Sequence, residues 1–241
     1  DSVDKLKSIF NRLDLIVEGE AAIRFTDAET LRLLTTEKAY IDYVSNANIG
    51  TLQYVDRDGD GMITQEELKS IKSLSNRPDN NSSIFANNNI LEVFNEFRYF
   101  TGLNMINNGC FNNCSSLKEV TLPVLTKMGN SVFQRSGIEK LLIPEGYQII
   151  GDSILQRCPN LVLVDFPSTV TSISAGGSLF WSMKNQAIVV CRALIPPAFG
   201  GWGYDGDPKA IYVPDITVDA YKSASGWSLQ SAKIKPISEM S

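Results

Sequence analysis

Three aspartates alternate with other residues near position 60, close enough together to share one cation. They are Asp56, Asp58 and Asp60; Gly61 follows directly, and Glu67 ends the same twelve-residue segment. Alternate carboxylates can converge on a hard cation, a glycine allows a sharp turn with positive φ, and a glutamate at the twelfth position can bind through both oxygens. Without a cation, carboxylates this close repel one another. The spacing therefore predicts a Ca²⁺ site.

The intervening residues also fit the EF-hand calcium loop. Met62 would offer its backbone carbonyl, Ile63 is the usual apolar residue, and Thr64 would bind directly or through water. A helix over 65–74 should follow. The alternative is an acidic turn that only caps this helix. A single loop is visible, whereas calcium sensors usually pair two, so the pattern favours a structural role over sensing.

Composition argues against several functional classes. The chain of 241 residues contains no histidine, which removes the commonest general base and the usual Ser-His, Cys-His and zinc-histidine sites. The net charge is -5: acidic residues exceed basic ones by six in residues 1–95, and basic residues exceed acidic ones by one in residues 96–241. No basic stripe is available for phosphates. We therefore expect a non-enzymatic protein that does not bind nucleic acid.

Residues 103–167 repeat one apolar pattern at an interval of about 22, which is typical of a solenoid and falls in the range of leucine-rich repeats. The copies span 103–123, 125–144 and 147–167, and a looser fourth begins at Val170. Each copy ends in a short strand closed by proline, which cannot donate to a ladder. Phe111, Phe133 and Leu155 share one position and should fill the core from the return segment.

Period-2 alternation places Val120 and Leu122 inward and their neighbours outward. A protein partner could contact these outward side chains. They are predicted to form two ladders: Glu119, Lys140 and Leu163, and Thr121, Leu142 and Asp165.

The four cysteines are Cys110, Cys114, Cys158 and Cys191, and no pair has C-x-x-C spacing. Cys114 and Cys158 share a repeat position two copies apart, too far for a disulfide. Buried free thiols are expected. The sequence has no apolar run long enough to span a membrane.

The segments around the repeats should protect their ends. The apolar spacing predicts a short amphipathic helix over 2–13. A second helix should begin at Thr26 as its N-cap, with an apolar face that includes Leu31 and Leu34 and extends at most to Val44. The Asn-rich segment 75–89 predicts a linker or long surface loop, and 90–100 an aromatic N-terminal lid. Strands are expected at 187–191 and 210–213, followed by a helix and a closing strand.

Trp202 and Tyr204 lie on a glycine-rich loop between these two strands. They would either stack on sugars or cover the last repeat.

The repeats, with the segments 211–214, 220–227, 234–237 and 94–103, resemble the BspA-type leucine-rich repeat family of bacterial surface proteins, of the Bacteroides type. The resemblance implies export, often with a lipid anchor, and location at the cell surface, at the outer membrane or outside the cell. The export signal or anchor is expected to lie outside this chain. Some relatives adhere to host matrix proteins or other cells. The resemblance assigns no particular binding residue.

These observations predict an α+β protein: a helical N-terminal region, 1–89, with the calcium loop and linker, and a capped leucine-rich-repeat solenoid of stacked parallel strands, 90–241. The predicted function is binding or adhesion to a protein partner, such as a host matrix or surface protein, with Ca²⁺ as a structural ion. A glycan-binding module that uses the loop near Trp202 is the alternative.

Overall fold

A computed structural model of the protein describes residues 22–43, 50–174, 176, 178–182 and 187–240. The helix predicted over 2–13 lies outside these residues. The described part combines short helices with stacked parallel strands, as expected for a leucine-rich repeat region.

The N-terminal part of the described chain contains two short helices and a small hairpin. These are α1 (Ala28–Thr36), β1 (Lys38–Ala39), β2 (Gln53–Tyr54) and α2 (Gln65–Ser70). The N-cap of α1 is Asp27, not Thr26: the Asp27 carboxylate accepts from Glu29 N at 2.9 Å. Thr26 is engaged elsewhere, because its hydroxyl donates to Glu96 Oε1 at 2.7 Å.

Helix α2 is shorter than predicted. It begins with a capping box between Thr64 and Glu67. It ends at Ser70 because Ile71 adopts an extended backbone, with φ -71° and ψ 122°, and turns its side chain into the core. The backbone of Gly102 packs against this end, where a Cβ would lie 1.8 Å from the carbonyl oxygen of Lys69.

The remainder of the described chain is a solenoid of short strands with one α-helix near its C-terminal end, besides short 3-10 helices at Asn95–Tyr99, Asp215–Thr217, Trp227–Lys233 and Ile237–Glu239. The elements are β3 (Val93–Phe94), β4 (Glu119–Val120), β5 (Lys127–Met128), β6 (Lys140–Leu142), β7 (Ile149–Ile150), β8 (Leu163–Phe166), β9 (Ser172–Ile173), β10 (Ile188–Cys191), β11 (Ala198–Phe199), β12 (Ala210–Val213), α3 (Val218–Ser223) and β13 (Ile234–Pro236). Strands 6, 8, 10, 12 and 13 form one parallel sheet, and strands 5, 7, 9 and 11 form another. A coil therefore passes through both sheets before it returns.

The first sheet is interrupted near its N-terminal end. β3 pairs with β4 in a separate two-stranded ladder, and β6 pairs with β8. A backbone bond from Glu139 N to Lys118 O, at 3.1 Å, joins the two parts just before β4 and β6. Beyond that bond the two strands do not form a ladder, and a groove opens between them.

The third side of the solenoid consists of turns, which we call the turn side. Each coil there has an equivalent position in the left-handed backbone region, with φ between 56° and 63°: Asn87, Asn113, Arg135, Arg157, Ser182 and Asp205. Three of these coils have a second left-handed residue four positions earlier, at Gly109, Ser131 and Ser153. Backbone hydrogen bonds stack these turns in register, such as Asn113 N to Gln134 O at 2.8 Å and Arg135 N to Gln156 O at 2.9 Å.

The core lies between the three sides and is continuous from the N-terminal helices to the last strand. The predicted inward positions are buried, as are Phe111, Phe133 and Leu155, which fill the core from the turn side. Successive strands place one buried residue each in the same register: Phe94, Val120, Leu141, Val164, Val189, Ile211 and Ile234.

The segment 75–89 is not a linker. Ser83, Ile84 and Phe85 are buried, and Phe85 packs 5.0 Å, centroid to centroid, from Phe94. Polar side chains join the segment to the next coil, including Ser83 Oγ to Cys110 O at 2.5 Å. The segment is therefore itself a coil of the solenoid.

The segment 90–100, which was predicted to be a lid, instead belongs to the first coil, because Phe94 occupies an inward strand position there. Part of the covering is supplied by the start of α1. The second carboxylate oxygen of Asp27 accepts from Glu92 N, next to β3, at 2.8 Å, and Glu29 accepts from Asn88 Nδ2 at 2.6 Å.

The C-terminal end is closed as predicted by a helix and a strand. Trp227 is buried, contacts Phe199 at 4.8 Å between ring centroids, and donates its indole N–H to Pro197 O at 2.9 Å. Tyr221 of α3 is also buried and donates to Ala193 O at 2.8 Å. These polar contacts satisfy the ring donors that burial would otherwise leave unpaired.

Candidate functional site

The acidic loop brings its three aspartates together. Carboxylate oxygens of Asp56, Asp58 and Asp60 lie within 4.8 Å of one another. Asp56 is buried, and its two oxygens accept from Gly59 N at 2.8 Å and Gly61 N at 3.0 Å. Both glycines have positive φ, 71° and 79°. The loop backbone thus fixes the first carboxylate and turns the chain around it.

Glu67 lies across the exit of the loop. Its Oε1 accepts from Arg57 N at 3.1 Å, and its Oε2 accepts from Thr64 N at 2.8 Å and from the Thr64 hydroxyl at 3.0 Å. The cluster of carboxylates within 4.8 Å contains only the three aspartates among the described residues. In this arrangement Glu67 closes the loop and caps α2.

A small bridge supports the loop from outside. Ile63 is buried, and its carbonyl accepts from Ile23 N at 2.7 Å, while Ala22 and Thr64 form an antiparallel bridge. The segment at 22–23 therefore pairs with the backbone of the acidic loop at Ile63 and Thr64. This contact could not be predicted from the sequence, because two consecutive apolar residues show no periodicity.

The residues of the loop fit a calcium ion. The donors are hard carboxylate oxygens, which Ca²⁺ prefers, together with the side chain of Thr64 and the carbonyl of Met62. Asp58, Asp60, Met62, Thr64 and Glu67 line a cleft of about 290 Å³.

The predicted outward ladders have the expected register within the five-stranded sheet. Lys140 lies opposite Leu163, and Leu142 lies opposite Asp165. Lys140 and Leu142 are exposed, Leu142 to 57 %, whereas Leu163 and Asp165 are half-buried. Arg192 covers part of Asp165 through an ion pair at 2.7 Å, which raises the pKa of the Arg192 guanidinium.

The groove between β4 and β6 lies on this face. Its volume is about 460 Å³, and Val93, Glu119, Thr121, Lys140 and Leu142 contribute to its walls. The structure thus brings four of the predicted outward residues around one depression: Glu119 of β4, Thr121 just after β4, and Lys140 and Leu142 of β6. It leaves Leu163 and Asp165 on the neighbouring part of the sheet.

Trp202 is not a surface residue. It is 3 % exposed, stacks on Phe180 at 5.6 Å with an interplanar angle of 12°, and donates its indole N–H to Gly226 O at 3.0 Å. A sugar cannot reach this ring, so the glycan site predicted on Trp202 is wrong. Tyr204 is 75 % exposed. Trp202 and Tyr204 therefore do not form a shared aromatic surface on which a sugar could stack.

The thiols offer no reactive nucleophile. All four cysteines are unbonded and buried, as predicted. Burial raises the pKa of Cys110 to about 12 and that of Cys158 to about 11. Their thiolates, which would be the nucleophiles, are correspondingly scarce near neutral pH. Cys158 instead donates to Phe133 O of the preceding coil at 2.9 Å.

Comparison with known proteins identifies the repeat part of the chain. Residues 81–193 match the family model described as "BspA type Leucine rich repeat region", in 6 copies. No curated protein matches the chain. Residues 81–193 are therefore similar to BspA-type leucine-rich repeats, and the match begins inside the segment predicted as a linker. Repeats of this class generally mediate protein–protein interaction and typically lack enzymatic activity.

The helices do not include a membrane-spanning one: within the described ranges, none is both long and apolar enough to cross a bilayer.

Proposed function

We propose that this protein is a non-enzymatic binding protein, secreted or displayed at the cell surface, that contacts a protein partner through the outward face of its first sheet. The observation that carries the proposal is the groove beside Leu142, where an exposed apolar side chain stands among Glu119, Thr121 and Lys140. BspA-type repeat proteins are usually surface or secreted proteins, which supports the proposed location.

The composition of the groove suits a modest protein interface. Leu142 and Val93 provide the apolar centre, and Lys140 and Glu119 provide a charged rim of both signs. Protein interfaces commonly combine an apolar centre with a polar rim, and a few central residues supply most of the binding free energy. We therefore expect Leu142 to be the most sensitive position.

The test is a binding screen by surface plasmon resonance against immobilised host matrix proteins, including fibronectin, laminin and collagen. Leu142→Asp should weaken the binding of any partner found by at least about tenfold, as expected for a central interface residue. Ile149→Asp is the matched control, because Ile149 is also a strand residue, 41 % exposed, but lies on the other sheet. Absence of binding to every protein, or equal losses in both variants, would contradict the proposal.

We also propose that the loop at 56–67 binds one Ca²⁺ as a structural ion. Asp56, Asp58 and Asp60 would supply carboxylates, Met62 its carbonyl, Thr64 a further oxygen, and Glu67 the carboxylate at the loop exit. The convergence of the three aspartates within 4.8 Å supports this assignment. An ion there would relieve the repulsion among the carboxylates and hold the loop against the bridge at Ile23.

Thermal unfolding in CaCl₂ and in EGTA tests the metal proposal. Calcium at 100 times its Kd should stabilise the protein by about 2.7 kcal/mol, and Asp58→Asn should abolish most of this gain. Asp79→Asn is the control, because Asp79 is an exposed acid outside the loop. Identical melting of the unmodified protein in both buffers would refute a structural calcium ion.

A further inference from the structure

The turn side carries a second row of residues that differs from the sheet face in chemistry. The stacked backbone bonds place Asn112, Gln134, Gln156, Trp181 and Tyr204 at equivalent positions of successive coils. We call this set the amide–aromatic row. Arg157 N donates to Trp181 O at 3.0 Å, and Ser182 N donates to Tyr204 O at 3.1 Å, so the two aromatic residues continue the register of the amides.

The amides of this row contact one another in sequence. Asn112 Nδ2 donates to Gln134 Oε1 at 2.8 Å, and Gln134 Nε2 donates to Gln156 Oε1. Their side chains therefore extend in a common direction from successive coils. An amide carries both donors and acceptors, so a line of amides can recognise a series of hydroxyl groups.

The aromatic end of the row is open to solvent. Trp181 is 38 % exposed and Tyr204 is 75 % exposed. Gly203 lets their two coils approach closely, because its φ is 83° and a Cβ there would lie 3.1 Å from Trp181 N. Exposed aromatic rings of this kind present electron-rich faces to C–H groups.

The opposite end of the row opens into a polar cavity. Its volume is about 390 Å³, and Asn81, Asn108, Asn112, Asn130 and Gln134 contribute side-chain amides to its wall. Some of these amides are already ordered, since Asn108 Nδ2 donates to Asn81 Oδ1 at 2.9 Å. The surface is thus amide-rich and concave at one end and aromatic at the other.

Two arginines lie directly beside the row. Arg135 and Arg157 follow Gln134 and Gln156, are exposed, and occupy adjacent coils. Parallel strands are spaced about 4.8 Å apart, and like charges at neighbouring positions repel. Across the ranges that the structure describes, neither guanidinium forms an ion pair with a carboxylate. An anionic ligand would relieve this repulsion.

We propose that the turn side binds an acidic polysaccharide along the amide–aromatic row. Trp181 and Tyr204 would stack on the C–H faces of sugar rings, the half-buried Gln134 would bind hydroxyl groups, and the two arginines would bind anionic groups. Gln156 is buried and would hold the Gln134 amide in place. The spacing of the coils, about 4.8 Å, is close to the length of one pyranose unit in an extended chain. The site lies outside the sheet face and is independent of the proposed protein interface.

Affinity electrophoresis of the full chain tests this proposal with three polysaccharides: polygalacturonate, which is carboxylated, chondroitin sulfate, which is also sulfated, and neutral galactan. At least one acidic polysaccharide should retard the protein, with an apparent Kd at least tenfold lower than that for galactan. The ratio between the two acidic polymers identifies the preferred anionic group. Trp181→Ala should weaken the retardation about tenfold, as truncation of a central tryptophan does at other interfaces.

The arginines are tested by the double variant Arg135→Asn/Arg157→Asn, since asparagine tolerates the left-handed backbone. It should lose at least about tenfold in affinity, because hydrogen bonds to charged groups are among the stronger ones. The control, Lys127→Asn/Lys235→Asn, removes the same charge from exposed positions on the two sheets and should retain binding. Equal losses in the two double variants, preference for galactan, or no retardation by either acidic polymer would overturn the proposal.

Discussion

Asn107 connects the N-terminal part of the chain to the solenoid, and its replacement by alanine should be among the more damaging polar substitutions. It is 2 % exposed. Its Oδ1 accepts from Leu74 N at 3.0 Å, and its Nδ2 donates to Ser73 Oγ at 3.0 Å and to Asn80 Oδ1. One side chain thus holds the segment after α2 against two coils.

The expected loss in the free energy of unfolding follows from the hydrogen-bond donor that the substitution leaves unpaired. Asn107→Ala would leave the Leu74 N–H without an acceptor in a buried site, at a cost of about 1–3 kcal/mol. Ser73 and Asn80 retain each other as partners, at 3.4 Å, so their contribution to the loss is smaller. We expect a total near 2 kcal/mol, which lowers Tm by about 4–8 °C for a chain of this size.

Urea unfolding followed by circular dichroism measures the change. Asn104→Ala is the matched control, because Asn104 is exposed and makes one side-chain bond, to Tyr43 O at 3.2 Å; its cost should stay within about 0.5 kcal/mol. If Asn107→Ala costs no more than the control, the inference that this network fastens the two parts together is refuted.

Further predictions concern the two ends of the solenoid and its thiols. Asp27→Ala removes both the N-cap of α1 and the contact with Glu92 N, and should cost about 1–2 kcal/mol by urea unfolding. The pKa of Glu29 is lowered, first by its hydrogen bond from Arg32. Its stabilisation is therefore present above its ordinary pKa of 4.5 and lost as pH falls through the folded value, so Glu29→Gln should flatten the stability profile below about pH 4.5. Trp202→Ala empties a buried site and should cost about 3–5 kcal/mol. Cys158 should react with a thiol reagent only after unfolding.

The repeated strands could be predicted because two independent periodicities agree. Alternation within each strand fixed the inward and outward sides, and the recurrence of the pattern fixed the register that places Lys140 beside Leu163. The short strands ending near prolines and the closing strand at Ile234 follow from the same local rules. The arrangement of the three aspartates likewise follows from local spacing.

Other features depend on contacts between distant segments and gave weak sequence signals. The coil at 75–89 is rich in asparagine, which normally indicates a loop. Here these polar side chains form hydrogen bonds with the next coil; for example, Asn87 Oδ1 accepts from Asn113 Nδ2 at 2.9 Å. Trp202 lies among glycines and so resembled a surface aromatic. It lies at the coil position of Leu179, and its ring stacks on Phe180. The amide–aromatic row was not visible, because its register depends on the turns.

The residues with left-handed backbone in the turns are sites where substitution could stabilise the protein. Asparagine and aspartate tolerate this backbone, but Arg135 and Arg157 at φ 58° and 56° carry a conformational cost of about 1 kcal/mol each. Replacing either by asparagine should therefore raise the free energy of unfolding by up to that amount. Substitution at these two turns would therefore stabilise the solenoid. A variant with this higher free energy of unfolding would remain folded with destabilising substitutions elsewhere in the coils.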